Sequence, residues 1–380
     1  MKERVIYRNA TLLEGSDLKV REEAYLVVEA DQIIDLGTTP LCEGMDLDGA
    51  LVIPAFVNAH THIGDGIAKE AGVGLSAEEA VSPPDGLKYR YLNELSAEGL
   101  SRSLESAIEE LLRNGITAFG DFREGGVEGT LALRNIMEGK PLKVVIFGAA
   151  MANPGQEGYL TEQEGVAGAA HGLGIGDVAL FSETELASLK SLLAAGGKKL
   201  AVHGAETKAA QELCFNNWRK SEIIRILDFS PELFVHLTNP FPGDLEAIAE
   251  QKIPVVCCAR TNCILADGLP PLDKMIELKM QLALGTDNLM FSSPDMFREM
   301  DWFSRLARGQ SGQADIISSK EVLSIATLGG ARALGLEDRL GSLEAGKAAS
   351  FIVLNTGSLA LRNCRNLYSA VVHRASPVDI

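Results

Sequence analysis

Hydrophobic positions along the chain fall into two rhythms. Over the first fifty residues, short apolar runs recur at Val5-Ile6-Tyr7, Tyr25-Leu26-Val27-Val28 and Gln32-Ile33-Ile34. The stretches Glu14-Gly15-Ser16-Asp17 and Gly37-Thr38-Thr39-Pro40 separate them. β-Branched runs between turn residues predict short antiparallel strands. The last forty residues carry two similar runs, Phe351-Ile352-Val353-Leu354 and Ala370-Val371-Val372-His373, which predict two more strands. Between the ends, apolar runs at 51–59, 115–122, 142–148, 178–181, 200–203, 233–238, 254–259 and 282–285 alternate with other segments. The clearest amphipathic stretches among these are 95–113, 183–195, 209–227 and 294–306. Continuous apolar runs suit parallel strands buried on both faces. About eight strand–helix units predict a (β/α)8 TIM-type barrel. An open doubly wound sheet is the alternative, but no Gly-x-Gly-x-x-Gly follows the first strand to give it a dinucleotide site. The expected class is α/β, with a barrel over 54–340 and a small β-sandwich domain built from both termini, 1–53 and 341–380.

Composition narrows the possible partners. The 380 residues include 46% hydrophobic and 23% charged side chains, an ordinary globular mixture. A net charge of −17 argues against nucleic acid and against an anionic membrane surface. No apolar run approaches the roughly 20 residues of a membrane span, and no signal-peptide block opens the chain. Six cysteines without paired Cys-x-x-Cys spacing predict reduced thiols and a cytoplasmic location. Oligomeric state is left open, and a homo-oligomer is compatible with the chain.

Chemistry is carried by few residues. Of six histidines, His60, His62, His203 and His236 lie at the ends of predicted strands, and Asp287 ends the eighth. In a parallel barrel all strand C-termini open onto one face, so these residues converge. His60 and His62, two apart on a strand, point to the same side and form a clamp for a divalent cation. With His203 and Asp287 they make a nitrogen and oxygen set that zinc accepts, and ferrous iron also.

The stretch Val52-Ile53-Pro54-Ala55-Phe56-Val57-Asn58-Ala59-His60-Thr61-His62 resembles the opening motif of the amidohydrolase superfamily. So does the order His-x-His, His203, His236, Asp287 over strands one, five, six and eight. Gly341–Ser350 is similar to the entry into the superfamily's C-terminal β domain. Dinuclear members usually carry a carboxylated lysine on strand four; Gly176–Ser182 has none, so the resemblance implies one metal ion. His203-Gly204-Ala205-Glu206 resembles the mononuclear branch that holds cytosine deaminase, nucleoside-type deaminases and imidazolonepropionase. There the glutamate shuttles protons. Arg260-Thr261-Asn262 followed by Gly268-Leu269-Pro270-Pro271 is similar to a deaminase segment, with Ala259 and Thr261 in place of proline and serine.

The resemblance implies hydrolytic deamination of an aminated nitrogen heterocycle or nucleoside. Asp287 would orient and deprotonate a water, Glu206 would shuttle a proton, and His236 would steady the developing charge. Opening of a cyclic amide such as an imidazolone is the first alternative, and a non-catalytic binding protein the second. Arg123 and Arg260, after strands two and seven, are read either as anchors for an anionic substrate group or as salt-bridge partners. Asp65 is read as a turn residue or as a substrate contact. His171 and His373 are read as structural or surface residues.

Overall fold

The computed structural model describes residues 4–38, 43–82 and 85–380. Met1–Glu3, Cys42, and the Thr39 and Pro40 of the expected turn lie outside these residues.

The apolar runs of the middle build a parallel barrel. Its strands are Phe56–His62, Ile116–Arg123, Lys143–Gly148, Gly172–Ile175, Lys199–Gly204, Leu233–His236 and Val255–Cys257, followed by an interrupted eighth strand. The first half of the eighth, Leu282–Leu284, pairs with strand seven. Its second half, Asp287–Asn288, pairs with strand one, opposite Thr61 and His62. One broken strand therefore touches both edges of the sheet, and the barrel closes through it. Asn58 secures the break: its Nδ2 donates to Thr286 Oγ1 at 2.7 Å, and its Oδ1 accepts from the Thr286 backbone N–H at 3.0 Å. Gly285 is required there, because a Cβ would lie 2.8 Å from His60 Cβ and 2.9 Å from Val256 Cγ1.

Helices cover the barrel as their periodicity dictates. In Ala97–Arg113, Leu104, Ala107, Ile108 and Leu111 are all buried, one stripe at helical spacing. Ser96 caps that helix by accepting from Gly99 N–H. The stretch 209–227 divides into Lys208–Trp218 and Glu222–Ile226, because Arg219 turns left-handed (φ 56°) and Ser221 caps the second helix.

The expected terminal strands form one six-stranded mixed sheet: Arg4–Glu14, Lys19–Glu29, Gln32–Gly37, Met45–Asp46, Leu51–Pro54 and Phe351–Leu354. Its outer edges meet, since Gly346 N–H donates to Ile33 O and Ala349 N–H to Asp31 O. The two layers of the expected sandwich are thus one sheet folded over Leu12, Leu26, Ile33, Val52 and Leu343.

Three expected strands are corrected. Residues 51–59 are not one strand: Leu51–Pro54 belongs to the terminal sheet and Phe56–His62 opens the barrel. Residues 178–181 are not strand four: Val178–Leu180 is a 3-10 turn capped by Asp177, and strand four is the glycine-rich Gly172–Ile175. Lysine is absent from that strand too. Residues 370–373 belong to a helix, Leu367–His373, capped by Asn366. A short apolar run fits a buried helix as well as a strand, and the cap decides. Among the described residues, no helix is long and apolar enough to cross a membrane.

Candidate active site

The strand ends bring four histidines and two carboxylates together. Ring centroids of His60 and His62 are 4.9 Å apart, His60 and His203 5.0 Å, and His203 and His236 4.9 Å. His60 Nε2 lies 3.2 Å and His62 Nε2 3.6 Å from Asp287 Oδ1. Glu206, three residues beyond His203, places its oxygens 3.7 Å from His203 Nδ1 and 3.6 Å from His236 Nε2. The Phe122 ring stacks on His203 at 4.6 Å and meets His60 edge-on, so an apolar wall backs the cluster. Four non-glycine residues at these strand ends carry left-handed φ values: Ala205 at 49°, His236 at 77°, Leu237 at 53° and Asp287 at 59°. Such backbone costs free energy and is held only where its surroundings over-determine it.

Burial dominates the electrostatics. It pushes His60 down to about 4. His203 is also driven well below its ordinary value by burial, helped by His236, His60 and His62. Burial alone would raise Asp287, but the His60 hydrogen bond and the surrounding imidazoles hold it far below the carboxylate range. Neutral His60 and His203 beside an ionised Asp287 are the protonation states a cation needs of its ligands. Burial and Lys88 would lower His62 too, but Glu124 and Asp287 raise it above its ordinary value.

The donor set fits a divalent ion. The ligand atoms of His60, His62 and His203 lie within 4.8 Å of one another, and so do those of His60, His236 and Asp287. Two atoms about 2.0–2.1 Å from one tetrahedral zinc are separated by roughly 3.4 Å. The 3.2 and 3.6 Å distances from Asp287 Oδ1 to the two imidazoles bracket that value. His203 Nε2 is buried with no hydrogen-bond partner among the described residues, a cost that a bound cation removes.

A second layer of charge was not foreseen from the sequence. Glu124, just past strand two, accepts from His62 Nδ1 at 2.6 Å and from Lys88 Nζ at 2.6 Å. A carboxylate on the far nitrogen of a histidine fixes its ring and its tautomer. Lys88 comes from the helix Leu87–Glu94 in the long excursion after strand one, and also reaches Asp65 Oδ2 at 3.2 Å. Arg123 is 1% exposed, with Nη2 on Glu124 at 2.7 Å and Nη1 3.5 Å from Asp121. Gly64 makes room for it, since a Cβ there would fall 2.1 Å from Nη2. Arg260 pairs with the buried Glu299 at 2.9 Å and donates to Ser293 O at 3.2 Å. Arg123, Arg260 and Asp65 are therefore all engaged in ion pairs inside the protein. His171 lies at the opposite end of strand four, where its Nδ1 accepts from Ile146 N–H. His373 pairs with Asp301 on an outer helix.

Residues 51–379 match the model of the amidohydrolase family. A protein of Methanothermobacter thermautotrophicus provisionally named an aminohydrolase is 34% identical over 311 residues, 80% of this chain and 81% of the relative. The 5-methylthioadenosine/S-adenosylhomocysteine deaminase of Caldanaerobacter subterraneus subsp. tengcongensis is 25% identical, covering 99% of this chain and 90% of its own. Among solved structures, a zinc-bound adenosine deaminase from Xanthomonas campestris superimposes with a TM-score of 0.87 at 19% identity, over 99% of this chain and 90% of that one. Guanine deaminase from C. acetobutylicum with bound guanine gives a TM-score of 0.75 at 16% identity, over 99% of both chains. At these identities the solved structures establish the shared fold.

Proposed function

This chain belongs to the amidohydrolase family, and we propose that it is a hydrolytic deaminase of an aminated nitrogen heterocycle or nucleoside. The observation that carries the reading is the placement of Glu206 against both His203 and His236, beside the His60–His62–Asp287 cluster. One group of side chains thereby holds three nitrogen ligands, a carboxylate ligand and a separate carboxylate free to move protons. The deaminase names of the relatives support the same reaction class.

In this reading His60, His62, His203 and Asp287 hold one divalent ion. Zinc suits the set first, and ferrous iron is accepted by the same ligands. Such an ion, when bound, lowers the pKa of a coordinated water to about 7 and so supplies a nucleophile at neutral pH. Asp287, ionised and fixed by His60, orients the attacking water and accepts its proton. Glu206 passes a proton to the ring nitrogen beside the attacked carbon and then to the departing amine. His236 Nε2 faces the oxygen that gains negative charge. Phe122 and the buried strand ends keep bulk water from these transfers. The carbon gains oxygen from water and loses its amino group as ammonia. Cys214, Cys257 and Cys258 are buried free thiols, which supports a reducing, cytoplasmic setting.

The test is an ammonia-release screen of purines, pyrimidines, pterins and their nucleosides with metal-loaded protein. Ammonia from at least one aminated heterocycle is expected. Turnover of an imidazolone by ring opening, with no ammonia from any aminated ring, would overturn the reading.

A further inference from the structure

His236 ends strand six at 1% exposure, and its two ring nitrogens meet different surroundings. Nδ1 lies 3.1 Å from Nδ2 of Asn262. Nε2 is buried with no hydrogen-bond partner among the described residues, and Glu206 Oε1 at 3.6 Å is beyond hydrogen-bond reach. A neutral imidazole carries its proton on one nitrogen and accepts on the other. The amide nitrogen of an asparagine donates and cannot accept, so Nδ1 is the acceptor and the proton resides on Nε2. The opposite amide orientation would turn Oδ1 toward Nδ1 and bury both N–H donors in the place where one carbonyl oxygen now stands without a partner. It would also put the ring proton on Nδ1 and leave a bare Nε2 lone pair 3.6 Å from the Glu206 carboxylate, a repulsion that Nε2–H replaces with attraction.

Asn262 is also held rigidly. It is 0% exposed, in the helix Ala259–Leu265 directly after strand seven. Its backbone N–H donates to Cys258 O at 3.1 Å, and its carbonyl accepts from Asp267 N–H at 3.1 Å. The preceding Thr261 donates to Thr286 O at 3.0 Å and lies 3.1 Å from Ser292 Oγ, tying the helix to the break in strand eight. The amide is thus fixed relative to the segment that carries Asp287.

We propose that Asn262 is a positioning residue that sets the tautomer of His236, presenting Nε2–H as a preformed donor to the oxygen developing on the attacked carbon. The role in the reaction rests on the hydrolytic reading above; the tautomer itself does not. Neutrality at position 262 is the essential property. An aspartate of the same shape would accept from Nδ1–H and leave Nε2 without its proton, or hold the ring as a cation.

The test is long-range ¹H–¹⁵N correlation on histidine-labelled, zinc-loaded protein, with His236 assigned by the signals lost in His236→Gln. Wild type is expected to show a neutral ring protonated at Nε2. Asn262→Asp is expected to place the proton on Nδ1 or on both nitrogens, with metal content unchanged. With an active substrate, kcat of Asn262→Asp should fall by about 10²–10³-fold, as when one oxyanion donor is removed, while KM changes far less. A wild-type ring protonated at Nδ1 overturns the proposal, whether or not the variant folds. An unchanged tautomer in folded Asn262→Asp also overturns it. If Nε2–H is found but no aminated heterocycle releases ammonia, the tautomer assignment stands and the deaminase reading fails.

Discussion

Replacing Lys88 by methionine tests whether the buried charges behind the site act as one unit. The ammonium is 4% exposed and lies 2.6 Å from Glu124 and 3.2 Å from Asp65. Burial alone would lower the Lys88 pKa, but Asp65 and Glu124 hold it well above the ordinary value. Burial would likewise raise Glu124, yet Lys88, His62 and Arg123 keep it well below the carboxylate range. Methionine fills a similar volume and removes only the charge. Two carboxylates then lose a counter-ion in a dry setting, and breaking one partner of such a pair costs about 3–5 kcal/mol. That is a large fraction of the roughly 5–15 kcal/mol that stabilises a domain. The assay is urea unfolding of metal-free protein, followed by tryptophan fluorescence and far-UV circular dichroism with coincident transitions. Lys88→Met/Asp65→Asn should recover part of the loss, because one orphaned carboxylate is removed with the ammonium. Glu124 also holds His62, so metal affinity of the single variant should drop about 10–100-fold. A loss of under about 1 kcal/mol, the value of an exposed pair, would refute the reasoning.

Other perturbations separate roles within the site. Glu206→Gln should retain its metal while turnover falls about 10²–10⁴-fold, measured by metal analysis beside steady-state kinetics. Glu222, on which Ala205 N–H rests at 3.0 Å, is pushed up to about 8 by burial and by Asp177. At pH 7 its native carboxyl keeps a proton that the unfolded chain has lost, so stability declines as pH rises through 8. The wild type should lose on the order of 1 kcal/mol from this group between pH 7 and 9, and Glu222→Gln should lose none of it in the same unfolding titration. Arg260→Ala leaves Glu299 buried and unpaired, so unfolding free energy should drop by about 1–3 kcal/mol while KM for neutral and anionic substrate analogues shifts alike.

The clustering of the histidines with Asp287 was legible because strand ends are readable in the sequence. His60 and His62 announce themselves by spacing at the end of an apolar run, and the barrel's topology supplies His203, His236 and Asp287 from other strand ends. The partners of the charged residues were not legible. Whether Arg123 is free depends on Asp121, Glu124 and the space above Gly64, and Lys88 arrives from a helix whose sequence carries no site motif. Asn58 likewise reads as a neutral strand residue until strand eight breaks and needs Thr286 secured. The misplaced fourth strand has a plain cause: Val178-Ala179-Leu180 is more apolar than Gly172–Ile175, but Asp177 caps the former into a turn.

The central claim is that water replaces an amino group, with Glu206 moving the protons. It is tested most directly by a reaction in ¹⁸O-labelled water, comparing metal-loaded wild type with Glu206→Gln across the heterocycle panel. The account predicts one ammonia released and one ¹⁸O gained per product molecule for wild type, and a rate lower by about 10²–10⁴-fold for the variant. Products that gain ¹⁸O by ring opening without ammonia, or an undiminished rate in Glu206→Gln, would contradict it.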